Sequence, residues 1–101
     1  MDKDKVIQFL GLCRRANKLV SGEASVIDMI RKNKVRLIFL ASDTLSSTTK
    51  RITDKASFYK VRLNSDFNSE ELNKAIGTNN RKVIGITDNN FTNMILGQLD
   101  R

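Results

Sequence analysis

Residues 19–43, LVSGEASVIDMIRKNKVRLIFLASD, decide the fold. They read as a short strand, a tight turn, an amphipathic helix, a hinge, a buried strand and a polar exit loop. Gly22 follows Val20-Ser21 and opens the helix. Val26, Met29 and Ile30 recur at helical spacing with Ile27 beside them, so one stripe faces a core. Asn33 stands where the helix should stop, and Asn tolerates the left-handed cap conformation. Arg36 to Ala41, RLIFLA, is nearly all apolar and too short for a separate helix, which fits a strand buried on both faces. Ser42-Asp43 ends it with turn chemistry.

The flanking sequence extends the same alternation. Upstream, Asp2 or Asp4 caps a first helix whose stripe is Val6, Phe9, Leu10 and Cys13, widened by Ile7 and Leu12. It ends in Arg14-Arg15-Ala16-Asn17-Lys18, where cations suit the negative end of the helix dipole. Downstream, Ser46 or Ser47 is placed to cap a third helix that turns Ile52 and Ala56 inward. Tyr59, Val61 and Leu63 alternate with Lys60 and Arg62, the period of a strand. Asn68 and Glu71 have capping-box spacing, Leu72, Ala75 and Ile76 follow as an inward face, and Gly77 stops that helix. After the polar, basic run Thr78–Lys82, Val83-Ile84-Gly85-Ile86 is a second buried-type strand. Asp88 or Asn90 caps a last helix with Phe91, Ile95, Leu96 and Leu99 on its core side. Helices between nearly all strands predict an α/β/α layered sandwich, and 101 residues without a linker or repeat predict one domain spanning 1–101.

Composition narrows the function. The longest apolar runs fall far short of the ~20 residues a membrane span needs. Met1-Asp2-Lys3-Asp4-Lys5 lacks the apolar region of a secretory signal, and the single cysteine, Cys13, fits a reducing setting, so a cytoplasmic location is expected. There is no His, which removes the commonest general base and, with only one Cys, argues against a transition-metal site. Net charge is +7 and uneven. Residues 1–62 hold fourteen Lys/Arg against six Asp/Glu, and residues 63–101 hold four against five. A positive field on part of a small domain suits a polyanion, most often nucleic acid.

No glycine-rich phosphate loop is present. Asp43 and Asp88 each follow a buried strand; together they form the one constellation able to hold Mg²⁺, and turn capping accounts for each separately. Tyr59 and Phe91 are the aromatics to weigh for base stacking, and their spacing points to the core. The remaining feature is the Ser21-Gly22-Glu23 helix start. A helix N-terminus offers free N–H groups and a positive dipole end to a phosphate or a base edge. Glu23 there stabilises the helix, repels phosphate and is able to accept from a base amine.

The runs Leu10–Glu23 (LGLCRRANKLVSGE), Lys34–Asp43 (KVRLIFLASD) and Ala75-Ile76-Gly77 resemble the YlxQ-type small bacterial members of the kink-turn-binding ribosomal protein family, the L7Ae/L30e group. The resemblance covers essentially the whole chain. It implies an α/β/α three-layer sandwich on a four-stranded mixed sheet, no catalysis, no cofactor, and RNA held at the start of the second helix and at the loop before the last strand. Gly22 matches the helix-opening glycine, Lys18 falls in the basic lead-in, and residues 77–82 match the second RNA-contacting loop. Where RNA-reading members carry Asn, Glu and Lys on the second helix, this chain has Ala24, Ser25 and Asp28. The expectation is a non-enzymatic, monomeric RNA-binding protein associated with ribosomes or translation. Arg14, Arg15, Lys18, Arg81 and Lys82 would attract phosphate, and Ser21, Gly22, Glu23, Ala24, Asn79 and Asn80 would make polar contacts. The alternative is a protein-interaction module on the same fold.

Overall fold

The computed structural model describes residues 1–101. Five helices alternate with four strands: α1 (Lys3–Arg15), β1 (Leu19–Ser21), α2 (Glu23–Arg31), β2 (Leu37–Leu40), α3 (Ser46–Phe58), β3 (Arg62–Asn64), α4 (Ser69–Ile76), β4 (Val83–Ile86) and α5 (Asn89–Leu99). The strands form one mixed sheet in the order β1-β4-β2-β3; β4 is antiparallel to β1 and β2, and β2 is parallel to β3.

Strand alternation divides the apolar residues between two cores. On one face Leu19, Leu37, Phe39, Ile84 and Ile86 meet Val6, Leu10, Cys13, Phe67, Leu72, Ile76 and Ile95, under α1, α4 and α5. Phe39 and Phe67 pack edge to face there, with ring centroids 5.8 Å apart. On the other face Ile38, Leu40 and Val83 meet Val26, Ile30, Val35, Ile52 and Ala56, under α2 and α3. The uninterrupted apolar reading of residues 37–40 is therefore correct: all four are buried, alternately in one core and the other.

The helix boundaries are chemical. Asp2, rather than Asp4, caps α1 by accepting from Lys5 N–H at 3.1 Å. Asp88, rather than Asn90, caps α5 through Phe91 N–H at 2.8 Å. Asn68 and Glu71 form the capping box of α4 in both directions, at 2.8 and 3.0 Å. Asn33 takes a left-handed φ of 58° just past α2, and Gly77 does the same at 70° after α4. Two expectations need correction. Neither Ser46 nor Ser47 caps α3; Leu45 holds the cap position with no side-chain bond, because Thr44 folds the preceding turn by donating to Ala41 C=O at 2.6 Å. The strand expected from Tyr59 to Leu63 is only Arg62–Asn64, because α3 runs to Phe58 and Lys60 then reverses the chain in the left-handed region at φ 57°.

The register defines two rims. Leu19, Ile86, Leu37 and Arg62 form one row across the sheet, and Ser21, Ile84, Phe39 and Asn64 form another. Strands β1, β2 and β3 end, and β4 begins, at the second row, here the upper rim. The lower rim is where β1, β2 and β3 begin.

Candidate nucleic-acid interface

The upper rim is assembled around Gly22. Its φ of 95° and ψ of 145° lie in a region that side-chain-bearing residues rarely adopt, and its N–H donates to Val83 C=O at 2.9 Å. This ties the start of α2 to the start of β4. Absence of a side chain also lets the Arg81 guanidinium lie over the turn: a Cβ on Gly22 would sit 2.6 Å from Arg81 Nη1. The first intrahelical bond of α2 is Val26 N–H to Gly22 C=O, at 3.0 Å. The N–H groups of Glu23, Ala24 and Ser25 precede it at the positive end of the helix dipole.

Arg81 is positioned by a residue that sequence reading passed over. Asn73, on α4, donates to Arg81 C=O at 2.9 Å and to Ser69 C=O at 2.7 Å. Its carboxamide oxygen accepts from Arg81 N–H at 3.0 Å and from Thr78 Oγ1 at 2.7 Å. One side chain thus closes the loop Gly77–Lys82 at both ends. The available signal was a polar residue inside the short Leu72–Ile76 stripe, four positions ahead of the glycine stop. Asn79 and Asn80 lie at the exposed tip of the loop, Asn80 with a left-handed φ of 58°.

The charges at this rim are largely paired. Glu23 accepts from Arg51 Nε and Nη2 and from Thr48 Oγ1, the latter two at 3.1 and 3.2 Å. The Arg51 hydrogen bond, with Thr48 adding to it, holds the Glu23 carboxyl below its ordinary range. Glu23 is therefore an anchor between α2 and α3, and not the open acceptor its position suggests. Lys82 is engaged as well, with Nζ 3.4 Å from Asp43 Oδ2 and donating to Ser69 Oγ at 3.1 Å. Asp43 in turn accepts from Ser69 Oγ and Ser69 N–H, at 2.5 and 2.8 Å. Those two bonds, the hydroxyl first, hold its carboxyl at about 2, and Lys82 contributes to the same effect.

The structure does not bring all the singled-out residues together. Ser21, Gly22, Glu23, Ala24, Asn79, Asn80, Arg81 and Lys82 share the upper rim. Lys18 stands at the other end of β1, where its carbonyl accepts from Thr87 N–H, roughly 13 Å from Gly22 at the rise of a strand. Arg14 and Arg15, on the last turn of α1, are delivered to that same lower rim, and Arg15 also borders the groove between α1 and α4 with Lys74. This basic run precedes the Gly22 turn closely in sequence, but the length of β1 keeps the two apart. Asp43 and Asp88 are divided in the same way: β2 and β4 are antiparallel, so one lies at each rim and the two cannot share an ion. Cys13 is buried, donates to Lys18 C=O at 3.3 Å, and has its thiol pushed up to about 12, by burial first and by Asp88 second. It is a packed thiol and not a thiolate.

The sequence matches the Ribosomal protein L7Ae/L30e/S12e/Gadd45 family over residues 4–95. The chain belongs to the L7Ae/L30e family. Two relatives are each described as RNA-binding protein YlxQ. That of Bacillus subtilis (strain 168) is 41% identical over 91 residues, covering 90% of this chain and 91% of the relative. That of Enterococcus faecium is 39% identical over 90 residues, covering 89% and 86%. Among solved structures, a protein of unknown function from Bacillus halodurans C superposes with a TM-score of 0.90 at 33% identity, covering 96% of this chain and 98% of that one. The 15.5kD RNA-binding protein of Giardia lamblia shares the fold, with a TM-score of 0.82 at 11% identity, covering 95% and 82%. The family resemblance read from residues 10–23, 34–43 and 75–77 is thus correct, as is the mixed four-stranded α/β/α architecture it implied. No helix is long and apolar enough to cross a membrane.

Proposed function

We propose that this L7Ae/L30e-family protein binds structured RNA through its upper rim, of the kink-turn or ribosomal kind, and acts as a monomer beside the translation machinery in the cytoplasm. The observation that carries this reading is the placement of Arg81 over Gly22. The loop before β4 and the start of α2 are far apart in sequence, yet they present one surface of free N–H groups, loop amides and a single unpaired guanidinium. The YlxQ relatives, described as RNA-binding, support the same ligand class.

The ion pairs Glu23–Arg51 and Asp43–Lys82 shape the expected binding. With Arg51 and Lys82 held by carboxylates, this rim offers little free positive charge, so recognition rests on shape and on hydrogen bonds from backbone amides and loop side chains. Ala24 supplies no side-chain hydrogen bond, which leaves the N–H groups of α2 and the Asn79 and Asn80 amides to meet base edges or 2′-hydroxyls.

The test is binding of a kink-turn RNA and a plain duplex, by fluorescence anisotropy at low and moderate salt. A kink-turn preference that survives added salt, and that Arg81→Glu abolishes, is the expected result. Arg81→Glu is the suitable variant because Arg81 makes no ion pair, whereas Lys82→Glu sets a carboxylate against Asp43. Equal, salt-labile binding of both RNAs would refute structure-specific reading at this rim. An absence of binding at low salt would favour the interaction-module alternative.

A further inference from the structure

A set of unpaired cations lies at the lower rim, opposite the Gly22–Arg81 surface. Lys18, Arg36 and Lys60 sit just before β1, β2 and β3, and Lys34 lies in the turn after α2. All four are exposed and none forms an ion pair. Cations after helix ends ordinarily complement the helix dipole, and that accounts in part for Lys34 and Lys60.

It does not account for Phe58. This residue is 77% exposed on the last turn of α3, beside the lower rim, and contributes to neither core. Its ring meets Tyr59 edge to face, with centroids 5.0 Å apart. Tyr59 is itself seated against the α2–α3 core and lines a shallow cleft with Asn33, Arg36 and Lys60. An exposed ring packed on a second aromatic, with free cations lining the cleft beside that second ring, is a combination that suits a single-stranded nucleic acid: bases stack on the ring and the cations follow the backbone.

We propose that the lower rim is a second nucleic-acid contact, taking a single-stranded RNA segment with a base stacked on Phe58 and phosphates on Arg36 and Lys60. Adjacent strands lie about 4.8 Å apart, so Lys18, two strands from Arg36, lies about 10 Å further along the rim, beyond Asp88 at the end of the intervening β4. The protein would then engage structured RNA at one rim and an unpaired strand at the other, across a body 25–29 Å wide. Phe58 and Arg36 are remote from Gly22 and Arg81, so this contact stands or falls separately from the upper-rim reading.

The protein carries its own reporter, because Tyr59 is its only tyrosine and it has no tryptophan. The experiment titrates the protein with labelled single-stranded oligouridylate and with a plain RNA duplex, following anisotropy and Tyr59 emission. The expected result is saturable binding of the single strand with a change in Tyr59 emission. Phe58→Ala is expected to weaken it about 5- to 150-fold, the range for losing one stacked base. Arg36→Gln with Lys60→Gln is expected to reduce the slope of log K against log salt by about 1.4, given ~0.7 for each single-strand phosphate contact. Arg81→Glu should leave both readouts unchanged. All four substituted residues are exposed, so unaltered circular dichroism melting verifies the fold of each variant. Wild-type affinity in Phe58→Ala, a silent Tyr59, or loss of single-strand binding in Arg81→Glu would each overturn the proposal.

Discussion

Asn73→Ala isolates the loop that carries Arg81. The substitution deletes four hydrogen bonds: two donated, to Ser69 C=O and Arg81 C=O, and two accepted, from Arg81 N–H and Thr78 Oγ1. A neutral hydrogen bond contributes ~0.5–1.5 kcal/mol net. The loop partners can turn to water once released, so the low end of that range applies to each, and the sum is about 2 kcal/mol. For a domain of this size that lowers Tm by roughly 10 °C. The loss is local before it is global. The head of β4 is held independently, Val83 C=O accepting from Gly22 N–H at 2.9 Å and Lys82 C=O from Ala41 N–H at 2.8 Å, so β4 stays paired while residues 78–81 loosen. Hydrogen exchange read residue by residue is the decisive assay. The Arg81 amide should lose protection by ten-fold or more, the factor for ~1.4 kcal/mol, while the Ile84 and Ile86 amides change only as much as global stability does. Asn73→Asp is the companion variant: it retains an acceptor for Arg81 N–H and Thr78 Oγ1 but sets a carboxylate oxygen against the Ser69 and Arg81 carbonyls, so it should be no more stable than Asn73→Ala. Unchanged Arg81 exchange in Asn73→Ala, with unchanged Tm, would refute the account of how the loop is held.

Four further outcomes follow from the same geometry. Gly22→Ala should cost about 1–3 kcal/mol from backbone strain, displace Arg81, and appear as a lower urea midpoint with unchanged m-value. Glu23→Gln should change stability by under ~1 kcal/mol, because its ion pair with Arg51 is exposed, while freeing Arg51 to steepen the salt dependence of RNA binding by about 0.9 for one added phosphate contact. Asp43 has a folded pKa near 2, below its unfolded value of ~3.9, so its contribution is complete above pH ~4 and is lost as pH falls towards 2; Asp43→Asn should flatten the acid limb of the stability profile in that window. Cys13 should resist alkylation at neutral pH until the chain unfolds, because its thiol is buried and stays protonated, and rapid labelling of the native protein would contradict that placement.

What was legible in the sequence was whatever local chemistry dictates. The alternation of helices and strands followed from periodicity, the start of α2 from Gly22, and the stops of α2 and α4 from Asn33 and Gly77, because each of those positions needs a backbone conformation few residues adopt. The cap of α3 was misread because Ser46 and Ser47 have the right chemistry one and two residues too late, and Thr44 had already turned the chain. The strand at β3 was overextended because Tyr59 to Leu63 alternates in sequence while a left-handed Lys60 interrupts it in space. The start of α2 and the loop before β4, far apart in the chain, lie side by side, and only the family resemblance carried that juxtaposition. The role of Asn73 was not legible, because it depends on the path of a loop that begins four residues later. Nor was the pairing of Glu23 with Arg51, whose partners lie 28 residues apart on different helices.

The distribution of charge is the clearest case of structure changing what a sequence number means. A net charge of +7 read along the chain makes the basic run Arg14–Lys18 look like the approach to the Gly22 turn. In three dimensions β1 carries Lys18 to one rim and Gly22 to the other, and the sheet register gathers Lys18, Arg36 and Lys60 on the side away from it. The upper rim keeps two of its cations neutralised by carboxylates that are themselves fixed by hydrogen bonds. A surface with paired charges gains little from counterion release, so its selectivity must come from geometry; a surface with unpaired charges and an exposed ring gains from any flexible strand that reaches it. The two proposed contacts therefore call for different kinds of RNA. Salt separates them: raising it should strip the lower rim first and leave upper-rim binding comparatively intact.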